Sequence, residues 1–201
     1  SDPMRARRRL LFLVLVGAAG FASLSYEILW TRLLVFKLKT TVYAFASMLS
    51  VYLLGIGAGS LLFPLIEKRM GIKDYWSLWG VLQAGIAAAG FCSLLSFAGI
   101  ALLPIEAPTT GMGWTRKLLS GNLLHSLVVM GLPTLLMGLA FPVATAAYTR
   151  QVASYGRSVG ILYACGTAGS ILGSIATGFF LVSALGTQGS TEALVLLGGA
   201  V

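Results

Sequence analysis

Two charged side chains lie inside the first long apolar stretch of the sequence, in the segment SLSYEILWTRLL at residues 23–34. If this stretch crosses a membrane, a bare charge at its centre costs about 2.5–3.5 kcal/mol even on the mildest insertion scale. Glu27 therefore has to face other protein, carry a proton or hold a cation. Its carboxyl group is the first candidate for chemistry, because it offers an amine both charge and hydrogen-bond acceptors.

Glu27 and Arg32 do not form a pair along one helix face. They are five residues apart, about 140° around an α-helix, whereas side chains three or four residues apart are neighbours. Tyr26 shares a face with Trp30, one turn further on. Two interpretations are open. Either Glu27 bonds a neighbouring helix while Arg32 extends to the membrane boundary, or Glu27 is a proton or cationic-substrate site.

Polar residues in later apolar stretches extend the candidate binding set. His125 lies early in the fourth stretch, and Tyr163 and Thr167 lie in the fifth. A single histidine near a helix end is also explained by an ordinary hydrogen bond to its surroundings. The predicted substrate-binding residues are Tyr26, Glu27, Trp30, Arg32, His125, Tyr163 and Thr167.

Patterns of catalytic or metal-binding residues are absent from the sequence. Cys92 and Cys165 both lie in apolar segments without metal-ligand spacing, which is typical of small packing residues. The glycine-rich segment GIGAGS at residues 55–60 lacks the strand–turn–helix context of a nucleotide site. We therefore expect no catalytic residue, metal or cofactor in this chain.

The elements that must position these residues are membrane-spanning helices. Hydrophobic residues make up 57% of the chain and charged residues 10%, and the mean hydropathy is +0.90. A soluble domain carries about 25% charged residues. Five stretches, roughly residues 10–36, 41–66, 75–103, 118–149 and 158–186, are long enough to cross a bilayer, which takes about 20 residues. A sixth begins near Thr191.

We therefore predict an all-α, polytopic bundle of about six spans, with the lipid bilayer as its main partner. Residues 1–3 read as a cloning scar, and residues 4–201 as one transmembrane domain that is cut off in or before its sixth span. The formal charge of +8 does not indicate nucleic-acid binding, because the basic residues are spread over the short loops.

The distribution of basic residues predicts the orientation of the bundle. Loops with an excess of lysine and arginine stay on the cytoplasmic side. The amino terminus is therefore predicted to be cytoplasmic. Aromatic residues at the start of the third stretch are expected at the same membrane surface. Nine of the fourteen basic residues lie on that side: Arg5, Arg7, Arg8, Arg9, Lys68, Arg69, Lys73, Arg150 and Arg157.

Small residues and prolines predict how the helices pack. Glycines four residues apart, such as Gly55 with Gly59 and Gly169 with Gly173, let two helix backbones approach closely in a membrane. Ordinary tight packing and a sliding surface of a transporter both remain open as interpretations. Pro133 and Pro142 each remove a helix hydrogen bond, so the fourth helix is expected to be kinked or broken.

Several motifs in order resemble a known family. They are SYEILWTR, TVYAFASMLSVYLLGIGAGS, LPTLLMGLAFP and LYACGTAGSILGSIATGFFLVSALGTQG, within residues 17–191. Together they resemble the membrane region of bacterial spermidine-synthase-like proteins. The chain departs from that pattern at Gly166, where the family often has asparagine, and at Ala140, where threonine is usual. Positions that match are Tyr26, Glu27, Trp30, Arg32, Gly55, Gly59, Pro133, Gly138, Pro142, Tyr163, Thr167, Gly169, Gly173 and Gly178.

The resemblance implies a half-size, major-facilitator-like helix bundle in a bacterial inner membrane. It also implies a cytosolic aminopropyltransferase-like domain after residue 201, which would use decarboxylated S-adenosylmethionine as its co-substrate. No catalytic residue of that domain has a position in this chain. A half-size bundle that transports is expected to act as a homodimer, since it has no second half to move against.

Three functions are compatible with these residues. The first is a transporter-like module that handles polyamine-type cations and delivers them to the enzyme domain. The second is a membrane anchor and dimerisation module that transports nothing. The third is a bundle that gives access to a lipid or another amine-bearing substrate.

Overall fold

Five helices form the part of the chain that the structure, a computed structural model, describes: residues 3–38, 42–101, 123–149, 155–186, 189–190 and 193. This confirms the predicted all-helical class, since these residues include no strand. The helices are α1 (Pro3–Leu38), α2 (Val42–Met70), α3 (Tyr75–Ala101), α4 (Leu124–Thr149) and α5 (Tyr155–Ile175), which continues into a π-helical segment at Ala176–Leu181.

Four helical segments among these residues are long and apolar enough to cross a membrane, which supports a membrane location. They are Arg7–Leu34, Phe45–Met70, Leu124–Thr149 and Tyr155–Gly186. Helix α3 has 27 residues and lies between them in the chain. The predicted sixth span begins at Thr191, outside the described residues, so six spans and a half-size transporter fold stay predictions.

The helices form two tightly packed groups. Helix α1 lies along α5, and α2 lies along α4, which also packs against α3. Contacts between the α1–α5 pair and the α2–α3–α4 group are few. The central part of the bundle therefore lies at a loose boundary between two closely packed units.

Glycines allow the close approach of α1 and α5. A Cβ atom at Gly169 would overlap the carbonyl oxygen of Gly17, and one at Gly173 would overlap that of Phe21. Serine hydroxyls add hydrogen bonds across the same seam. Ser25 Oγ donates to the Gly173 carbonyl at 3.2 Å, and Ser170 Oγ donates to the Gly20 carbonyl at 3.1 Å. Such short-range packing is how helices associate in lipid.

The seam between α2 and α4 is built in the same way. Side chains at Gly55, Gly59 and Gly138 would overlap atoms of the facing helix. Gly178 differs from the other predicted packing glycines, because a Cβ there would meet no atom within 4 Å. The structure thus places Gly55, Gly59, Gly169 and Gly173 at helix seams, but not Gly178.

Helix α4 continues without a break from Leu124 to Thr149 through both prolines. Pro142 has no N–H to donate to the carbonyl of Gly138, four residues earlier. Ser60 of α2 supplies the missing donor, with its Oγ 3.0 Å from the Gly138 oxygen. Helix α4 is therefore not broken over this range, and at Pro142 a donor from the neighbouring helix replaces the missing N–H; the kink stays a prediction.

In the short connection between α2 and α3, one residue caps the end of α2 and another caps the start of α3. Gly71 has a φ of 57°, in the left-handed region, and its N–H donates a hydrogen bond to the Glu67 carbonyl at 3.1 Å. This arrangement caps the carboxyl end of α2. Asp74 caps α3, because its Oδ1 accepts the N–H groups of Trp76 at 3.0 Å and Ser77 at 3.2 Å. The Ser77 hydroxyl donates to Oδ2 at 2.7 Å.

These bonds predict how acid affects the cap. The Ser77 hydroxyl, and then the N–H groups of Ser77 and Trp76, lower the pKa of Asp74 below its ordinary value of 3.8. The charge-dependent part of the cap is complete above pH 3.8 and is lost as the pH falls through the lowered pKa. We expect Asp74→Ala to lower the melting temperature by a few degrees at neutral pH, and by less in strong acid. Asp74→Asn should keep most of the cap while removing its pH dependence, and melting curves in detergent from neutral to acid pH measure both.

Aromatic rings join three helices at one end of the bundle. The ring of Phe12 lies 4.3 Å from Trp76, 5.1 Å from Trp79 and 6.1 Å from Tyr148. Trp79 and the neighbouring Tyr75 are buried, with 4% and 3% of their surfaces exposed. These two rings, expected at the membrane surface, therefore pack inside the protein.

The same contacts bring the beginnings of α1 and α3 to the end of α4, as alternating up-and-down helices require. Basic residues cluster around this end: Arg7, Arg8, Arg9, Lys68, Arg69, Lys73 and Arg157 lie in or beside the neighbouring helix ends. Basic residues at one end of the bundle are consistent with the predicted orientation. That this end faces the cytoplasm stays a prediction.

Candidate ligand cavity in the bundle

A cavity of about 450 Å³ lies between the two helix groups. Its size falls within the usual range for small-molecule sites, roughly 300–1,000 Å³. All five helices line it, with Val16, Ala19, Gly20, Ala22, Ser23, Tyr26, Tyr52, Ile56, Trp79, Gln83, Ile86, Met137, Ala140, Phe141, Ala144, Tyr163, Gly166, Thr167 and Ser170.

The lining is mostly apolar and neutral, and it includes five aromatic side chains. Among the lining residues that the structure describes, none carries a formal charge, and the polar side-chain groups are hydroxyls, the amide of Gln83 and the indole N–H of Trp79. Gly166 and Ala140, where the resemblance implies asparagine and threonine, both line the cavity. Aromatic faces attract a cation. This wall therefore suits a ligand with an apolar body and a cationic or hydrogen-bonding group.

Glu27 lies just outside this cavity. Its side chain is half-buried and borders a separate cleft of about 10 Å³ with Thr31, Met48, Tyr52 and Met130 among its neighbours. The carboxylate accepts a hydrogen bond from Tyr52 of α2. Tyr52 lies about 15 Å along the axis from the start of α2, and Met130 lies about 9 Å from the start of α4. Glu27 therefore faces protein, in the half of the bundle opposite the aromatic cluster.

Tyr52 and Ser23 were missed as site residues in the sequence. Tyr52 lines the cavity and hydrogen-bonds both Glu27 and Ser23, while Ser23 Oγ also lies 3.3 Å from the sulfur of Met137. No local sequence pattern identifies Tyr52 as a site residue, because its partner Glu27 lies on another helix. Only the packing of α1 against α2 brings the two side chains together.

Tyr26 and Trp30 stack on each other, with ring centroids 5.4 Å apart. Trp30 does not line the cavity, and its Nε1 donates to Ser93 Oγ of α3 at 2.9 Å. Tyr26 lines the cavity and is fully buried. Its hydroxyl lies against Gly90 and has no hydrogen-bond partner among the described residues. Trp30 thus links α1 to α3, whereas Tyr26 contributes to the cavity wall and its hydroxyl lies beside Gly90 without a partner among the described residues.

Arg32 and His125 lie outside the cavity. The side chain of Arg32 is exposed, in line with an extended cation near the end of a span. His125 is half-buried in the first turn of α4. Neither residue borders the cavity or the Glu27 cleft. Of the predicted binding residues, the structure therefore brings Tyr26, Tyr163 and Thr167 together around one space, with Glu27 beside it.

The cavity reaches the surface between α4 and α5. Phe141 and Tyr163 line it and are 44% and 65% exposed, and Thr167 is exposed as well. The rings of Phe141 and Tyr163 meet edge to face, with centroids 6.3 Å apart. These three residues form a window about 12–18 Å along α5 from its start. At that depth a window would open sideways into the bilayer.

No protein-family model, curated protein or solved structure matches this chain.

Proposed function

We propose that this chain is a transporter-like membrane domain that binds amine-bearing, polyamine-type cations in its central cavity. The observation that carries the proposal is the contact between the cavity wall and the acid of α1, because Tyr52 lines the cavity and donates to Glu27. A cation in the cavity would lie close to a carboxylate and against several aromatic faces. Both interactions favour an ammonium group in a site with little water.

The arrangement of the helices supports movement rather than anchoring alone. The cavity lies where the α1–α5 pair meets the α2–α3–α4 group, and contacts across that boundary are few. In many transporters, substrate sites lie between units that rock against each other as rigid bodies. The glycine seams keep each unit rigid, so a change in shape is expected at the boundary that holds the cavity.

The sequence motifs support the wider setting. As part of the same proposal, the domain lies in a bacterial inner membrane with its basic end cytoplasmic, acts as a homodimer, and delivers its cation to an aminopropyltransferase-like domain. The motifs that resemble spermidine-synthase-like proteins are the support for that delivery step.

Binding of putrescine and spermidine to the purified protein tests the proposal. Replacing Glu27 with glutamine removes the negative charge but keeps the size of the side chain. Two opposite charges about 8 Å apart attract each other by about 2 kcal/mol at an effective dielectric constant of about 20, so Glu27→Gln should weaken binding by up to about 30-fold. Titration calorimetry in detergent measures the affinity, and uptake of labelled putrescine into proteoliposomes measures transport.

Glu67→Gln is the matched control. Glu67 lies near the end of α2, where it accepts a hydrogen bond from Tyr75, and it does not line the cavity. This variant should bind and transport like the wild type. Binding without uptake would leave a binding domain that does not transport. Absence of binding by either amine would reject the proposal.

One observation favours a second candidate, a bundle that admits a lipid or a lipophilic amine. The window at Phe141, Tyr163 and Thr167 faces sideways, and the cavity wall is mostly apolar. Competition separates the two. A lipophilic amine such as sphingosine that displaces putrescine would place both in one cavity, whereas sphingosine binding with no putrescine binding would favour the second candidate.

A further inference from the structure

Two separate spaces meet at the side chain of Tyr52. One is the central cavity of about 450 Å³, and the other is the cleft of about 10 Å³ beside Glu27. Among the residues that the structure describes, Tyr52 alone lines both. The side chain of Tyr52 therefore lies between Glu27 and the central cavity.

Hydroxyl groups connect the two spaces without a break. Ser23 lines the cavity and hydrogen-bonds Tyr52, and Tyr52 hydrogen-bonds Glu27. A hydroxyl group can donate one hydrogen bond while accepting another. A chain of this kind can pass a proton by moving one hydrogen along each bond, without moving any heavy atom far.

Other charged groups do not border the Glu27 cleft. From α2 it is lined by Phe45, Met48, Leu49 and Tyr52, from α4 by Met130, and from α1 itself by Thr31. Arg32 on α1 is exposed, and His125 on α4 lies outside the lining. Among the described residues, Glu27 and Tyr52 are therefore the titratable groups that face this cleft.

We propose that Tyr52 relays a proton between Glu27 and the central cavity, so that a cationic ligand enters in exchange for the proton of Glu27. This inference rests on the proposed function, since it needs an amine-bearing ligand in the cavity. It assigns roles in that exchange to Tyr52 and Ser23.

The exchange balances in atoms and charge. Before binding, Glu27 is a neutral carboxylic acid. With Glu27 protonated, its O–H donates to the Tyr52 oxygen and the Tyr52 hydroxyl turns to donate to Ser23, the reverse of the bonds made to the carboxylate. As an ammonium group enters, the Glu27 proton moves to the Tyr52 oxygen and the Tyr52 proton moves to the Ser23 oxygen. The Ser23 hydroxyl, turned away from the Met137 sulfur, gives its own proton to solvent in the cavity. Glu27 ends as a carboxylate that faces the ammonium group across Tyr52, and one proton has left. The new carboxylate offsets one positive charge of the ligand, which lowers the cost of bringing that cation into the membrane.

The equilibrium test is the pH dependence of putrescine affinity. If binding releases one proton, the dissociation constant falls by up to about tenfold for each unit rise in pH, while Glu27 starts protonated. We expect this slope in the wild type and a flat profile for Glu27→Gln, measured by calorimetry in nanodiscs. Putrescine binding with no pH dependence in the wild type would overturn the exchange and leave the proposed function standing.

The kinetic test addresses Tyr52 itself. Stopped-flow mixing with putrescine follows proton release with a pH dye and ligand binding by tryptophan fluorescence, since Trp79 lines the cavity. In Tyr52→Phe, we expect proton release to lag binding by at least about tenfold, because the relaying hydroxyl is gone. Ser23→Ala breaks the same chain at its other end and should slow release too, while it keeps the Tyr52–Glu27 bond.

Tyr155→Phe is the matched control, because Tyr155 is exposed at the start of α5, away from both spaces. It should release protons at the wild-type rate. Wild-type release rates in both Tyr52→Phe and Ser23→Ala would overturn the relay. Absence of any putrescine-induced fluorescence or heat change in the wild type would instead reject the proposed function, and the relay with it.

Discussion

Replacing Gly169 or Gly173 with alanine is expected to lower the free energy of unfolding by about 1–3 kcal/mol each, because the added methyl group has no room. At both positions the Cβ atom would overlap a backbone carbonyl of α1, at Gly17 and Phe21 respectively. A flexible side chain could turn away, but a helix backbone cannot. The α1–α5 seam must therefore open, which also weakens the hydrogen bonds from Ser25 and Ser170.

Thermal or denaturant unfolding in detergent micelles measures this effect. The double variant is expected to cost less than the sum of the two single variants, since the first methyl group already separates the helices. Gly57→Ala is the matched control. A Cβ atom there meets nothing within 4 Å, so the substitution should be neutral or raise stability by up to about 1 kcal/mol through helix propensity. Equal destabilisation at position 57 would contradict the seam as the cause.

Ser60→Ala is expected to lower the free energy of unfolding by about 1–3 kcal/mol, because it leaves the Gly138 carbonyl without its donor. Pro142 cannot provide an N–H, and the Ser60 hydroxyl at 3.0 Å takes that place. In a membrane no water is at hand to replace it. The effect is large for so small a change, since the substitution leaves a backbone carbonyl at the α2–α4 seam without a hydrogen-bond donor.

The same substitution should cost little once Pro142 is replaced by alanine. An N–H at position 142 can then bond the Gly138 carbonyl within α4, so the two positions should be coupled by about 0.5–3 kcal/mol. A double-mutant cycle measured by unfolding in micelles gives this energy. Ser50 lies ten residues earlier on α2 and is exposed, so Ser50→Ala is the control substitution. Additive effects of Ser60→Ala and Pro142→Ala would show that the Ser60 hydroxyl does not compensate for the N–H that Pro142 lacks.

Helix content and approximate boundaries followed from the sequence. The apolar stretch at residues 75–103 became α3 at Tyr75–Ala101, and that at residues 41–66 became α2 at Val42–Met70. The helices run past the apolar stretches where charged residues continue them, as at Lys68 and Arg69. Hydropathy reports contact with lipid, whereas a helix ends where its backbone hydrogen bonds end, as at Gly71.

The sequence also marked out Glu27 as a residue that must face protein, carry a proton or hold a cation, because an ionised carboxylate in lipid is costly whichever helix lies next to it. The sequence also marked the glycine pairs as packing positions, since only glycine lacks a Cβ atom. It could not identify Tyr52 as the partner of Glu27, or separate Trp30, which bonds Ser93, from Tyr26, which lines the cavity. Those distinctions depend on which helix packs against which. Only the tertiary structure decides that, because it sums many weak contacts between residues far apart in the chain, and no local pattern contains that sum.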